Sequence, residues 1–187
     1  MTDKPDAAMI LNGNGGSYTP EMANGFKQLL EGKVDVYVTH SAEEARERVI
    51  ELVQDGVDII YNGSGDGGLY NTLNAIVEAK ISDMPRLGLL ALGTGNAVPR
   101  WAGNMKTAED VLRHYGRIID VGIENIATRP MRLIEFKTTL ESGEEKTSYF
   151  TFGGMGWDAQ ILKEYGKVKD RFFGLFGYLV AAYRLYG

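Results

Sequence analysis

Strands that alternate with helices, each strand giving way to a polar glycine-rich loop, predict an α/β chain with a parallel sheet. Three stretches carry that expectation. Val57 to Ala79 reads as strand, loop and helix: the β-branched run Val57-Asp58-Ile59-Ile60-Tyr61, the loop Asn62-Gly63-Ser64-Gly65-Asp66-Gly67-Gly68, then Leu69, Leu73, Ile76 and Val77 on one helix face. A second loop, Asn12-Gly13-Asn14-Gly15-Gly16-Ser17, follows the apolar run Ala7 to Leu11. A third, Gly93-Thr94-Gly95-Asn96, follows Leu87 to Leu92. Ligand crevices in such sheets lie where these loops meet.

The remaining elements follow in order. Pro20 suits a helical first turn, with Met22, Phe26, Leu29 and Leu30 marking an apolar face and Gly32 ending the helix. Val34 to Val38 alternates as a strand and stops at Thr39-His40. Ser41 and Glu44 form a capping-box pattern that opens a helix using Ala45, Val49, Leu52 and Val53. Beyond the third loop, Thr107 to Tyr115 reads as a helix and Ile118 to Gly122 as a strand leaving the first domain. The texture then changes. Met131 to Lys137 and Lys146 to Phe152 read as strands of a hairpin around Ser142-Gly143, followed by a helix with Ile161, Leu162 and Tyr165, then an apolar aromatic stretch from Phe172 to Tyr186. The expected division is an α/β domain over 1–120 and the beginning of a β-rich domain over 121–187.

The 187 residues suffice for one substantial core, and a net charge of −5 argues against broad nucleic-acid binding. With no cysteine there is no disulfide framework or thiolate metal site, which fits a cytoplasmic protein. The polar start Met1-Thr2-Asp3-Lys4-Pro5-Asp6 does not read as a signal peptide. An exposed sheet edge in a partial second domain would be covered by a second copy of the chain, giving a homo-oligomer.

A glycine loop followed by a helix lets backbone N–H groups and the positive helix end meet an anion, so phosphate is the expected guest. Asp66 is the unusual member, because a carboxylate beside a phosphate repels it unless a cation or a transferable proton lies between them. Gly63, Gly65 and Gly68 satisfy G-x-G-x-x-G, but the ribose-binding acid of a dinucleotide site is missing from the end of the next strand. No G-K-[ST] follows a glycine loop either, which excludes an ordinary P-loop.

Ser64-Gly65-Asp66-Gly67 before a helix, with Leu92-Gly93-Thr94-Gly95-Asn96 after the next strand, resembles the diacylglycerol kinase catalytic domain superfamily. Bacterial members usually carry G-G-D-G-T. The S-G-D-G form and Asn96-Ala97 are closer to the sphingosine kinase branch. Asn12-Gly13-Asn14-Gly15-Gly16 is similar to the family's first loop, Asp120-Val121-Gly122 to its D-[IV]-G crossing, and Gly154-Met155-Gly156-Trp157-Asp158-Ala159 to a further motif. The resemblance implies a NAD kinase/diacylglycerol kinase-like fold, with MgATP between the domains and a lipid alcohol as phosphoryl acceptor, met transiently at a membrane surface. It places Asn12, Gly13, Thr39, Ser64, Gly65, Gly67, Gly68, Thr94 and Asn96 beside nucleotide, Asp66 as the catalytic acid that handles the acceptor proton or a Mg²⁺-bound water, and Asp158 near the acceptor.

Two positions depart from the pattern. Gly68 stands where bacterial members have threonine, and Asn71 where the family has glutamate. They leave open a nucleotide-binding or regulatory module without transfer activity, and a NAD kinase-like enzyme is a third reading. Lys167, Lys169 and Arg171 are candidates to screen phosphate charge, or a solvated basic stretch. His40 and His114 lack ligand spacing and read as surface or packing residues. The aromatic stretch after Phe172 reads as core or domain interface ahead of acyl-chain contact.

Overall fold

The computed structural model describes residues 6–93, 95–103, 117, 120–121, 125, 127–154, 156–169, 171–172 and 174–186. Four parallel strands form one sheet in the order β2-β1-β3-β4: β1 Ala7–Asn12, β2 Asp35–Thr39, β3 Ile59–Ser64 and β4 Arg86–Ala91. The helices α1 Pro20–Leu29, α2 Ala42–Gln54 and α3 Asp66–Glu78 connect them. The order reverses at β1, whose neighbours are β2 and β3, so a topological switch point opens between the carboxyl ends of β1 and β3.

Alternation along each strand divides the core into two layers. Met9, Leu11, Ile59 and Tyr61 pack with Phe26 and Leu30 of the α1 side, and Ala8, Ile10 and Ile60 pack with Val49, Val53, Ala75 and Ile76 of α2 and α3. Both central strands are buried throughout or nearly so, which explains their apolar sequences. Leu29 is the exception among the expected face of α1, standing 52% exposed while Ala23 takes a buried place instead. Tyr61 lies in register with Gly88, and a Cβ on Gly88 would come 2.1 Å from the Tyr61 ring. The glycine in β4 therefore makes room for the aromatic ring beside it.

The helix starts follow their sequence signals. Thr19 caps α1 by accepting from Met22 N–H at 3.1 Å, ahead of Pro20. Ser41 accepts from Glu44 N–H at 3.0 Å, and Glu44 reaches back to His40 N–H at 2.7 Å.

After β4 come α4, Ala97–Trp101, and an antiparallel hairpin of β5, Ile134–Thr139, and β6, Glu145–Phe150. The hairpin turns through Gly143 at φ +84°, as Ser142-Gly143 predicts. The helix expected over Thr107 to Tyr115 lies outside the described residues. Of the strand expected over Ile118 to Gly122, Asp120 and Val121 are described and are helical rather than extended. Asp120 pairs with Lys33 at 2.5 Å.

The chain packs as two compact units, Met1–Thr151 and Phe152–Gly187. The hairpin belongs to the first. The Asn74 carboxamide of α3 donates to Tyr149 C=O at 2.8 Å and accepts from Tyr149 N–H at 2.9 Å, taking the place of a neighbouring strand's peptide. The second unit contains α5, Trp157–Val168, and α6, Gly174–Tyr186, with Tyr165 stacked on Tyr178. Phe176, Leu179 and Tyr183 are exposed, so of the core-or-interface reading of the aromatic stretch the core half does not hold at Phe176 and Leu179. Among the described residues no helix is long and apolar enough to cross a membrane.

Asn74→Asp keeps the side chain's shape but removes the donor facing Tyr149 C=O. Hydrogen exchange at Tyr149 and its β6 neighbours should accelerate about tenfold, from loss of a part-buried hydrogen bond and a new repulsion. Unchanged exchange would show that the hairpin is held by other contacts.

Candidate functional site

Three loops converge beyond the carboxyl ends of the strands, and the backbone itself joins them. Gly13 N–H donates to Thr39 C=O at 2.8 Å, Leu92 N–H to Ser64 C=O at 3.3 Å, and Ser17 N–H to Leu92 C=O at 3.4 Å. Gly65 and Gly93 meet without side chains between them: a Cβ on Gly93 would lie 2.3 Å from the Gly65 Cα. A Cβ on Gly13 would come within 2.5 Å of the His40 ring.

The central loop is shorter than the sequence suggests. Asn62, Gly63 and Ser64 complete β3, Gly65 alone forms the connection, and Asp66, Gly67 and Gly68 are the first turn of α3. Glycines and polar residues at a buried strand end disguised the continuation. Gly65 caps α3 with no side-chain hydrogen bond, so the cap residue itself satisfies none of the opening N–H groups at the positive helix end. Gly67 has open space around its Cα.

Asp66 sits at that turn, half-buried. Its Oδ1 accepts from Val98 N–H at 3.3 Å, and its Oδ2 lies over Gly95, where a Cβ would approach to 2.7 Å. The carboxylate therefore bridges the central and third loops. Asn96, 8% exposed and in the left-handed region at φ 51°, accepts from Gly93 N–H at 2.9 Å and donates to Gly93 C=O. Its amide closes the third loop. Thr39 ends β2 and donates to Leu11 C=O at 3.3 Å, and Asn12 ends β1 with its Oδ1 accepting from Asn14 N–H at 3.0 Å. Asn14 in turn donates to His40 C=O at 2.6 Å.

Thr94 lies outside the described residues. Asp158 falls on α5 in the second unit, and its side chain lies outside the described residues too. The first unit thus brings Asn12, Gly13, Thr39, Ser64, Gly65, Asp66, Gly67, Gly68 and Asn96 to one end of its sheet. In the second unit Lys167 is paired with Glu164 at 2.7 Å, and that lysine holds the Glu164 carboxyl below its usual range. Lys167 is therefore an ion-pair partner, and Arg171 lies over the Phe172 ring. Among the described residues no cluster of His, Cys, Asp and Glu could hold a metal by protein ligands alone.

Two contributors were not singled out from the sequence. Asn62 and Thr72 are buried, and Asn62 donates to Thr72 Oγ1 at 2.6 Å while accepting from Ser64. The available signal was polar residues at core positions: Asn62 shares a face of β3 with Ser64, and Thr72 sits on the buried stripe of α3.

The Diacylglycerol kinase catalytic domain family matches residues 6–126. A protein of Citrobacter koseri named "Probable lipid kinase YegS-like" is 30% identical over 115 residues, 60% of this chain and 38% of that protein. "Probable lipid kinase YegS" of Escherichia fergusonii is 36% identical over 99 residues, 51% of this chain and 32% of that one. The chain thus spans well under half the length of these relatives. A crystal structure of a diacylglycerol kinase from Bacillus anthracis str. Sterne superposes with a TM-score of 0.50 at 18% identity, covering 63% of this chain and 43% of that one. That likeness bears on the fold, and it agrees with the α/β sheet and the small β-rich hairpin.

Gly93→Ala should force the two loops apart and lower the melting temperature by at least about 2–4 °C, the effect of overpacking a site with no room to yield. Gly67→Ala, in open space within a helical turn, should be neutral or raise it. Equal melting temperatures for Gly93→Ala and the parent would mean that the contact relaxes freely.

Proposed function

Because the chain belongs to the diacylglycerol kinase catalytic domain family, we propose that it carries the nucleotide side of an ATP-dependent lipid kinase, using Mg²⁺ to transfer the γ-phosphoryl group to a lipid alcohol of diacylglycerol or sphingoid type. The observation that supports this best is Asp66 at the uncapped first turn of α3. The three loops, Asn12 to Ser17, Asn62 to Gly68 and Gly93 to Asn96, contain no lysine or arginine. Phosphate held there meets backbone N–H groups and one carboxylate, an arrangement that fits a nucleotide only with a cation between carboxylate and phosphate.

Phosphoryl transfer asks mainly for positioning and charge neutralisation. The first-turn N–H groups of α3 orient the phosphates, and the Gly65–Gly93 contact fixes the wall behind them. Mg²⁺, when bound, neutralises charge on the phosphate oxygens. Asp66 accepts the proton from the acceptor hydroxyl as the new O–P bond forms and the bond to the bridging oxygen of ADP breaks. Val98 N–H keeps Oδ1 in place, leaving Oδ2 for that proton. The acceptor itself would be met at a membrane surface by a cytoplasmic, peripheral protein, with further acceptor contacts from residues after 120, Asp158 among them. A second copy of the chain would cover an exposed sheet edge. Asn71 in place of glutamate favours the second reading, nucleotide binding without transfer.

Calorimetry with MgATP tests the site. Saturable binding is expected, weakened about tenfold or more in Thr94→Ala. In Asp66→Asn, ATP should still bind while transfer to diacylglycerol or sphingosine falls by about 10²-fold or more, the ordinary loss for a proton acceptor. Binding without labelled lipid product would favour the regulatory reading, and NADP formation from NAD the NAD kinase-like one. Absence of any MgATP binding would overturn the proposal.

A further inference from the structure

Ser64 ends β3 directly beneath the first turn of α3, and it is only 5% exposed. Its hydroxyl donates to Asn62 Oδ1, and Asn62 donates onward to Thr72 Oγ1 at 2.6 Å. All three residues are buried, so a polar chain ties the end of β3 to the second turn of α3. The hydroxyl is committed to this chain. At the same time Ser64 fills the space under Gly68: a Cβ on Gly68 would lie 2.5 Å from both Ser64 Cβ and Ser64 Oγ. Those are fixed atoms of a buried side chain anchored by hydrogen bonds, with little freedom to move aside.

We infer that Ser64 and Gly68 are an interlocked pair, in which Ser64 is a positioning residue that sets the first turn of α3 against β3 and thereby requires glycine at 68. Positions 64 and 68 share one space, and a single side chain fills it. The bacterial G-G-D-G-T pattern, with glycine first and threonine last, likewise carries one side chain between the two positions. The absence of threonine at 68 is then the consequence of serine at 64, and the anion-binding face of this turn is backbone alone. The ligand part of this inference rests on the nucleotide reading above; the steric part does not.

A double-mutant cycle separates the two. Gly68→Thr should lower the melting temperature and weaken MgATP binding at least about tenfold, because the turn is pushed off β3. Ser64→Gly/Gly68→Thr should recover most of both losses, whereas Ser64→Ala/Gly68→Thr, which keeps the Cβ that collides, should recover neither. Ser64→Ala alone should weaken MgATP about three- to tenfold at full binding stoichiometry, a readout that a loss of fold would not give. Where Gly68→Thr does not fold, recovery of a cooperative transition in the Ser64→Gly double variant carries the same support. The inference is overturned if Gly68→Thr matches the parent, if the double variant is no better than Gly68→Thr, or if Ser64→Ala binds as the parent does. Failure of the parent itself to bind MgATP would remove the nucleotide reading, and the melting temperatures would still decide the pair.

Discussion

Contact between the Gly65 and Gly93 backbones is the constraint on which the crevice depends. Loops that follow adjacent parallel strands must each clear the side chains of the other. Here neither residue has one, and the Cα of Gly65 occupies the volume that any Cβ on residue 93 would need. Asn96 holds the third loop in this close position by pairing its amide with both backbone groups of Gly93. Asp66 then reaches Val98 across the contact. Separation of the two backbones by the width of a methyl group would break that reach, so the carboxylate's hydrogen bond to Val98 depends on the two glycines.

The sheet order supplies the rest of the geometry. With β1 and β3 adjacent and their connections leaving in opposite directions, α1 covers one face and α2 and α3 the other. The ends of β1 and β3 are left uncovered by either layer. Burial of both faces explains why polar side chains at the strand ends turn inward or sideways: Thr39 to Leu11 C=O, Ser64 to Asn62, Asn12 to Asn14 N–H. Such groups cannot be left unpaired in a core. The price is that the hydroxyls of Thr39 and Ser64 serve the scaffold, and outward-facing donors come mainly from the main chain.

Much of this was legible in the residues. Strand, loop and helix alternation followed from periodicity, and Pro20, Ser41 and Glu44 marked helix starts by residue type alone. The loops were legible as loops because glycine recurs at strand ends. Their lengths were not, since Asn62-Gly63-Ser64 carries loop-like composition while sitting in a fully buried strand. Composition reports what a residue tolerates, and pairing with β1 and β4 decided otherwise. The roles of Asn62, Thr72 and Asn74 were hidden for a different reason. Each depends on a partner far along the chain or across an element, Asn74 and Tyr149 being 75 residues apart, and spacing rules see only neighbours.

Charge gives the last step. A chain of net charge −5, with no lysine or arginine in its three glycine loops, cannot attract a polyanion by its overall field. Under the proposed function, affinity for phosphate would come from local N–H groups and a metal ion delivered with the nucleotide. That division suits phosphoryl transfer, because a fixed lysine would stabilise bound substrate and product alike, whereas a cation that arrives and leaves with the nucleotide does not hold the product in place. In the proposed reaction one carboxylate beside a bound cation would take the proton as the acceptor oxygen attacks. With Asn71 on the same helix as Asp66, α3 presents a single carboxylate in its first two turns, and proton transfer in the proposed reaction falls to Asp66 alone.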